Sequence, residues 1–270
     1  MASDLILVSV EDGITTITLN RPEKMNALNP EMIVRLARAW DSISEDPSIR
    51  VVVLTGTGDR TFCAGADLGR LTTLFTRSRS AEDEWDEALL ADPKLLNRAL
   101  LRRSDFFTPI IGAFRGAVVA GGMELALACD LRVVAEDSTL GLLEVKRGLI
   151  PAGGGITRIS RQIPWAMAAE ILLGGNKMSA QEALRIGLVN RVVAGDQVLP
   201  TALHLAQQMA KNSPLAMRAA KETMLGCSGR TITEGFELED QAIKKILRSD
   251  DAKEGSRAFM EKREARFNGR

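Results

Sequence analysis

A chain of 270 residues, 45% hydrophobic and 26% charged, carries enough apolar content for one large globular core. Its 35 Lys and Arg balance its 35 Asp and Glu, so no overall field favours nucleic acid or a membrane surface. One histidine, no tyrosine and three scattered cysteines (Cys63, Cys129, Cys227) argue against a His-dependent triad, a zinc site and a disulfide framework.

In chain order, residues 5–10 and Ile14–Leu19 read as strands joined by the hairpin turn Glu11-Asp12-Gly13. Asn29 caps and Pro30 opens a helix whose apolar positions Ile33, Leu36, Ala37 and Trp40 keep helical spacing. Residues 51–55 form a continuous apolar run, predicted to be a buried parallel strand, which leads through Gly56 and Gly58 to a small-residue turn at 62–67. The mixed-charge stretch 70–107 is predicted to be helical, punctuated by Pro93. Residues 109–114 read as another buried strand running straight into 120–130, Ala-Gly-Gly-Met-Glu-Leu-Ala-Leu-Ala-Cys-Asp. Strand-like Leu131–Ala135 and 139–142 precede a second glycine cluster at 150–155. Helices are then predicted over 165–173, closed by Gly174-Gly175, and from the capping box Ser179 to Glu182 as far as Gly187. Beyond 188–193 the chain reads as nearly all helix, with breaks at Pro214 and 226–229, and His204 sits within one such helix. Strands alternating with helices, then helices alone, predict an α/β fold of repeated ββα units, with a core over 1–200 and a helical region over 201–270. The first residues lack a basic start followed by a long apolar run, and no run approaches the ~20 residues that span a bilayer, so a cytoplasmic protein with reduced thiols is expected.

The chemistry concentrates in 120–130. Met123, Leu125, Ala126, Leu127 and Ala128 predict a helix buried on most of its circumference, and Glu124 is the one polar side chain inside it. An ionised carboxylate there loses its water and needs compensation. Two glycines at the helix start leave backbone N–H groups bare at the positive end of the dipole, which suits an anionic oxygen. A second acid, Glu144, lies just before the second glycine cluster, beside Lys146 and Arg147, where a surface ion pair is its simplest reading.

The segments 19–28 (Leu-Asn-Arg-Pro-Glu-Lys-Met-Asn-Ala-Leu), 53–56, 62–68, 109–113, 120–126 with Cys129-Asp130, 144–155, 179–183 and 258–263 occur in an order and at spacings that resemble enoyl-CoA hydratase and the wider crotonase superfamily. The resemblance implies a crotonase spiral of ββα units whose C-terminal helices assemble a homotrimer, often a dimer of trimers. It implies an acyl-CoA substrate, coenzyme A being part of that substrate with no separate cofactor, and a thioester carbonyl held between the amides of Ala66 and Gly121. No metal is needed where backbone dipoles polarise the carbonyl. By the same resemblance Lys24, Met25, Ala27, Ala64, Asp67, Leu68, Ala117, Leu143 and Lys262 fall at substrate or CoA positions. Gly69 stands where some members have a phosphate-reaching lysine, leaving that charge to Lys24, Arg70 or Lys262.

Glu124 and Glu144 match the two hydratase carboxylates, Glu124 expected to hold and deprotonate water and Glu144 to deliver a proton to C2. Three departures stand out: Ala120 begins the usual triple glycine, Leu143 replaces a common proline, and Pro151-Ala152-Gly153 replaces Pro-Gly-Ala. Residues 70–107 exceed the usual length, and Leu71, Leu74, Phe75, Trp85, Leu89 and Leu90 are candidates to line a changed acyl pocket, with core packing as the alternative. The reading that results is an enoyl-CoA hydratase. Its rivals are a Δ3,Δ2-enoyl-CoA isomerase, a carnitinyl-CoA-type dehydratase, and a non-catalytic paralogue that binds acyl-CoA or RNA; balanced charge disfavours RNA.

Overall fold

In the computed structural model, which describes residues 4–103 and 105–270, the chain opens on the predicted hairpin. Strands β1 (Ile6–Glu11) and β2 (Ile14–Leu19) pair antiparallel around Asp12 and Gly13, both at positive φ (49° and 76°) as this turn requires. Helix α1 (Pro30–Glu45) begins where the Asn29 side chain accepts from the Met32 amide, and it buries Ile33, Leu36, Ala37 and Trp40. The chain then winds through three turns, each giving one strand to a large sheet and one to a small sheet. The first contributes β3 (Val51–Gly56) and β4 (Thr61–Cys63), then a π-helical turn (Leu68–Thr72), α2 (Thr73–Phe75), α3 (Glu84–Ala91) and α4 (Lys94–Ala99). The second contributes β5 (Ile110–Phe114), β6 (Ala117–Val119) and α5 (Gly121–Ala128). The third contributes β7 (Leu131–Ala135) and β8 (Thr139–Gly141), then a 3-10 turn (Glu144–Arg147), α6 (Gly155–Gln162) and α7 (Trp165–Gly174). A short return through β9 (Met178–Ser179), α8 (Ala180–Arg185) and β10 (Arg191–Val193) precedes α9 (Val198–Ala210), α10 (Pro214–Gly226), α11 (Ile232–Ile246) and α12 (Asp250–Met260).

The large sheet runs β1-β2-β3-β5-β7-β10 and is parallel outside the hairpin; the small one runs β4-β6-β8-β9, parallel except for β9. Alternation along β3 and β5 sends Val52, Leu54, Ile110 and Phe114 into the main core with α1 and α5. Val51, Val53, Ile111 and Ala113 point the other way, onto Val198, Ala202 and Ala206 of α9. Burial on both faces is why β3 reads as an unbroken apolar run. Residue 200, the expected edge of the core, falls inside α9.

Further ties bind the late helices to the core. Arg50 donates to the carbonyls of Ala210 and Phe267, and the buried Lys221 ammonium donates to Asp130 (2.7 Å) and the Thr108 carbonyl (3.0 Å). No helix among the described residues is long and apolar enough to cross a membrane.

Three elements differ from expectation. Residues 109–114 do not run straight into α5: the chain turns at Arg115-Gly116 and adds β6. Gly116 has φ 64°, and a Cβ there would lie 2.2 Å from the Arg60 carbonyl oxygen, so the turn admits only glycine. Helix α6 follows directly on the second glycine cluster, its N-cap Gly154 at φ 109°. Within 70–107, residues 76–83 and 100–103 are not helical, and Leu101 adopts φ 50°.

Candidate active site

Strands β4, β6 and β8 lie side by side and run the same way, so their carboxyl ends deliver three segments to one place. These are the 64–67 turn, the start of α5, and 142–144. Ligands of parallel sheets characteristically gather at such ends.

The first two segments meet through glycine. A Cβ on Gly65 (φ 91°) would lie 2.7 Å from the Ala120 Cβ and 2.8 Å from the Gly121 nitrogen; one on Gly121 would lie 3.3 Å from the Gly65 Cα and 3.7 Å from the Ala66 nitrogen. The Ala66 and Gly121 amides therefore come together, and neither donates to an acceptor among the described residues. Gly121 also opens α5, whose dipole adds positive potential there. Ala120, in front of it, takes φ 50° and ψ −126°, a strained backbone for a residue with a side chain.

The 64–67 turn is held by the segment before α1. Ala64 donates to the Met25 carbonyl (3.1 Å), Leu28 to Gly65 (2.8 Å), and Asp67 to Leu28 (2.9 Å). Asn26, fully buried, donates to the carbonyls of Thr57, Thr61 and Phe62 and accepts from the Arg21 amide. The Arg21 guanidinium reaches Asp67 (2.7 Å) and the Ala27 carbonyl (3.0 Å). Asp67 also caps the π-helical turn, accepting from Gly69 and Arg70. Burial pushes its carboxyl up, but the Arg21 bond and charge together with those two amides outweigh this and hold it below its ordinary value. Its side chain is thus fully engaged within the protein.

The two acids sit in contrasting surroundings. Glu124, in the first turn of α5 and 4% exposed, accepts from the Gly155 amide at 2.9 Å. Burial raises its pKa, opposed by the Gly155 and Gly153 amides and the charges of Arg158 and Arg102. A Cβ on Gly153 would lie 2.6 Å from one Glu124 oxygen, and one on Gly155 3.0 Å from the other, so glycine lets both turns close on the carboxylate. Glu144 opens the 3-10 turn after β8, half-buried, and its Oε2 is buried with no hydrogen-bond partner among the described residues. Burial pushes its pKa up to about 7, and the charge of Glu124 adds to the rise. The structure therefore brings the two acids within electrostatic reach of each other.

The remaining expected positions are spread around this centre. Ala27 and Ala117 are half-buried, whereas Lys24, Met25 (φ 54°) and Leu68 are exposed. Leu143 lines an open cavity of about 460 Å³ with Lys146, Arg147, Gly175 and Lys177. Lys262 is exposed just beyond α12. Of the acyl-pocket candidates, Leu71, Leu74 and Leu89 are buried in the core and Trp85 packs against it beneath Arg35 and Arg38; Phe75 and Leu90 stay exposed. Core packing takes most of them. The structure adds Arg21, Arg102, Arg158 and the Gly153 and Gly155 amides. Arg158 falls one helical turn after Gly154, the only hint of it in the chain.

The likeness to known proteins extends over nearly the whole chain. Residues 9–270 match the family model described as Enoyl-CoA hydratase/isomerase. The Mycobacterium tuberculosis protein named Enoyl-CoA hydratase EchA19 is 38% identical over 254 residues, covering 94% of this chain and 92% of that one. A Proteus mirabilis protein named Carnitinyl-CoA dehydratase is 35% identical, covering 99% of this chain and 100% of that one. A crystal structure of an enoyl-CoA hydratase from Bacillus anthracis superposes with a TM-score of 0.88 at 34% identity, covering 98% of this chain and 100% of the other. With its fold, its length and its sequence all shared, the chain belongs to the enoyl-CoA hydratase/isomerase family.

Proposed function

We propose that the protein is an enoyl-CoA hydratase, adding water reversibly and syn across a 2-trans-enoyl-CoA to give a 3-hydroxyacyl-CoA. One observation carries this reading: two acids, Glu124 bonded by the Gly155 amide and Glu144 with a buried oxygen that no described residue bonds, stand at the strand ends that also present the Ala66 and Gly121 amides. The thioester oxygen lies between the Ala66 and Gly121 N–H groups, which stabilise negative charge as it develops there; each such donor contributes about 10²–10³ in rate. Glu124, solvated by amides and flanked by arginines, is the base: it takes a proton from water as the oxygen bonds to C3. Glu144, holding its proton to about 7, gives it to C2. The addition leaves Glu124 protonated and Glu144 ionised, the starting state for dehydration. Coenzyme A enters as part of the substrate, its phosphates met by Lys24 or Lys262, because Glu82, Asp83 and Asp86 already hold the Arg70 guanidinium.

The assembly is a homotrimer or a dimer of trimers, supported by α11, which buries no residue and exposes Ile232, Phe236 and Ile243. A cytoplasmic site of action fits the three free cysteines. The second reading, a dehydratase acting on a hydroxyacyl-CoA, uses the same acids in reverse and is favoured by the likeness to the carnitinyl-CoA dehydratase. A panel of acyl-CoAs of increasing chain length, followed by the absorbance of the conjugated thioester, tests both. Loss of absorbance on enoyl-CoAs is the expected result, and its appearance from hydroxyacyl-CoAs alone selects the dehydratase. Appearance from 3-enoyl-CoAs alone, or no change with any substrate, overturns both.

A further inference from the structure

We propose that Arg158 is a positioning residue for Glu124: one guanidinium ties the Gly153 turn, which packs against that carboxylate, to the end of α4 while turning its charge toward the acid. Arg158 lies in the first turn of α6 and donates from Nη1 to the carbonyls of Gly153 (3.3 Å) and Leu100 (3.4 Å) and from Nη2 to the Leu101 carbonyl. Among the described residues all its hydrogen-bond partners are carbonyl oxygens, so this half-buried cation has no carboxylate in direct contact, and the acid it faces is Glu124.

The Gly153 turn and the end of α4 interlock at the same point. A Cβ on Gly153 would meet the Leu100 Cδ1 at 2.4 Å, and one on Gly154 would meet the Arg158 Nη1 at 2.5 Å. Leu101, at φ 50°, is the left-handed residue that closes α4, where the Arg102 amide donates to the Asn97 carbonyl (2.7 Å) and the Leu101 amide to that of Arg98 (3.0 Å). The bonds from Arg158 to Leu100 and Leu101 dock this closed helix end onto the Gly153 turn. Releasing them frees the Gly153 turn, and with it the amides that solvate Glu124.

The charged groups that face Glu124 come from three elements: Arg158 on α6, Arg102 just past α4, and Glu144 on the 3-10 turn; the Cys129 thiol, at the far end of α5, faces Arg158 rather than Glu124. Arg102 is exposed and screened by solvent, so Arg158 is the stronger of the two cations. In function, Arg158 keeps the base charged and aimed while Glu144 keeps its proton; this part rests on the hydratase reading.

The test combines a titration that needs no substrate with a kinetic arm. In uniformly ¹³C-glutamate-labelled protein, the Glu124 carboxyl signal is identified by its absence in Glu124→Gln and titrated in wild type, Arg158→Gln and Arg158→Lys. In Arg158→Gln the Glu124 midpoint is expected to rise by about one pH unit, as for loss of a nearby opposite charge. The acid limb of kcat/KM moves with it, and kcat falls about tenfold or more while KM changes less than about threefold. Arg158→Lys is intermediate on every reading. A folded Arg158→Gln protein with the wild-type Glu124 midpoint overturns the proposal whether or not activity falls, since a purely structural arginine behaves that way. If Arg158→Gln does not fold, the Arg158→Lys titration decides, a partial rise supporting and an unmoved midpoint overturning. A wild type without hydratase activity overturns the functional reading alone, and the titration still judges Arg158.

Discussion

Replacing Glu144 by glutamine is expected to stabilise the protein above neutrality while removing most of its activity. The folded protein holds the Glu144 proton to about 7, whereas an unfolded chain releases it near the ordinary value of 4.5. Between those values the folded state binds more protons, so stability falls as pH rises, and the whole penalty is present above about 7. A displacement of that size corresponds to about 3 kcal/mol, trimmed to about 1–2 kcal/mol because the half-buried side chain keeps some solvent. Glutamine preserves the shape and has no charge to desolvate. At about pH 8.5 its Tm is therefore higher by about 2–4 °C for a chain of this length, while at about pH 5 only about a quarter of the difference remains. The assay is thermal unfolding at matched protein concentration, since assembly makes Tm concentration-dependent. It is paired with hydration kinetics, where the loss of a general acid lowers kcat by about 10²–10⁴. A variant that melts below wild type at about pH 8.5 would refute the reasoning, because Glu144 would then be an ion-paired carboxylate whose charge the fold exploits.

Two neighbouring glycines are expected to separate stability from activity. Gly121→Ala places its Cβ no closer than 3.3 Å to the Gly65 Cα, so its Tm changes little while its methyl beside the paired amides lowers kcat about 10²-fold. Gly122→Ala places its Cβ 2.3 Å from the Cys63 carbonyl oxygen and is expected to lose about 1–3 kcal/mol in denaturant unfolding; the reverse ranking would refute the site. Arg21→Ala leaves Asp67 without its cation, lowering stability by about 1–3 kcal/mol at neutral pH. The Asp67 contribution is present above its ordinary 3.8 and lost as pH falls through its lowered value, so wild type and variant converge in acid; a gap that persists there would count against the pair.

Long periodic stretches were legible in the sequence. The hairpin, α1 and β3 announce themselves through a turn at positive φ, an Asn-Pro start and a run buried on two faces. Strands β4 and β6 are three residues each, too short for an alternation to register, yet their parallel pairing with β8 is what gathers Ala66, Gly121 and Glu144. Glu124 was readable because a lone acid in an apolar helix has no solvent to turn to. Arg158 was not: an arginine one turn into a helix looks like any solvated cation, and two of its partners are backbone carbonyls 57 and 58 residues away. The same blindness applies to Asp86, which sits in a charge-rich stretch but is fully buried between Arg79 and Arg70.

The placement of α9 has a consequence for anyone who would trim this chain. A stop codon after residue 200 would remove Ala202 and Ala206 and leave Val51, Val53, Ile111 and Ala113 as a greasy panel open to water. It would also strand Asp130 without its ammonium partner and Arg50 without the two carbonyls that receive it. Such a fragment would clump rather than fold, so the last quarter of the polypeptide serves as the underside of the platform on which the acids and amides are displayed.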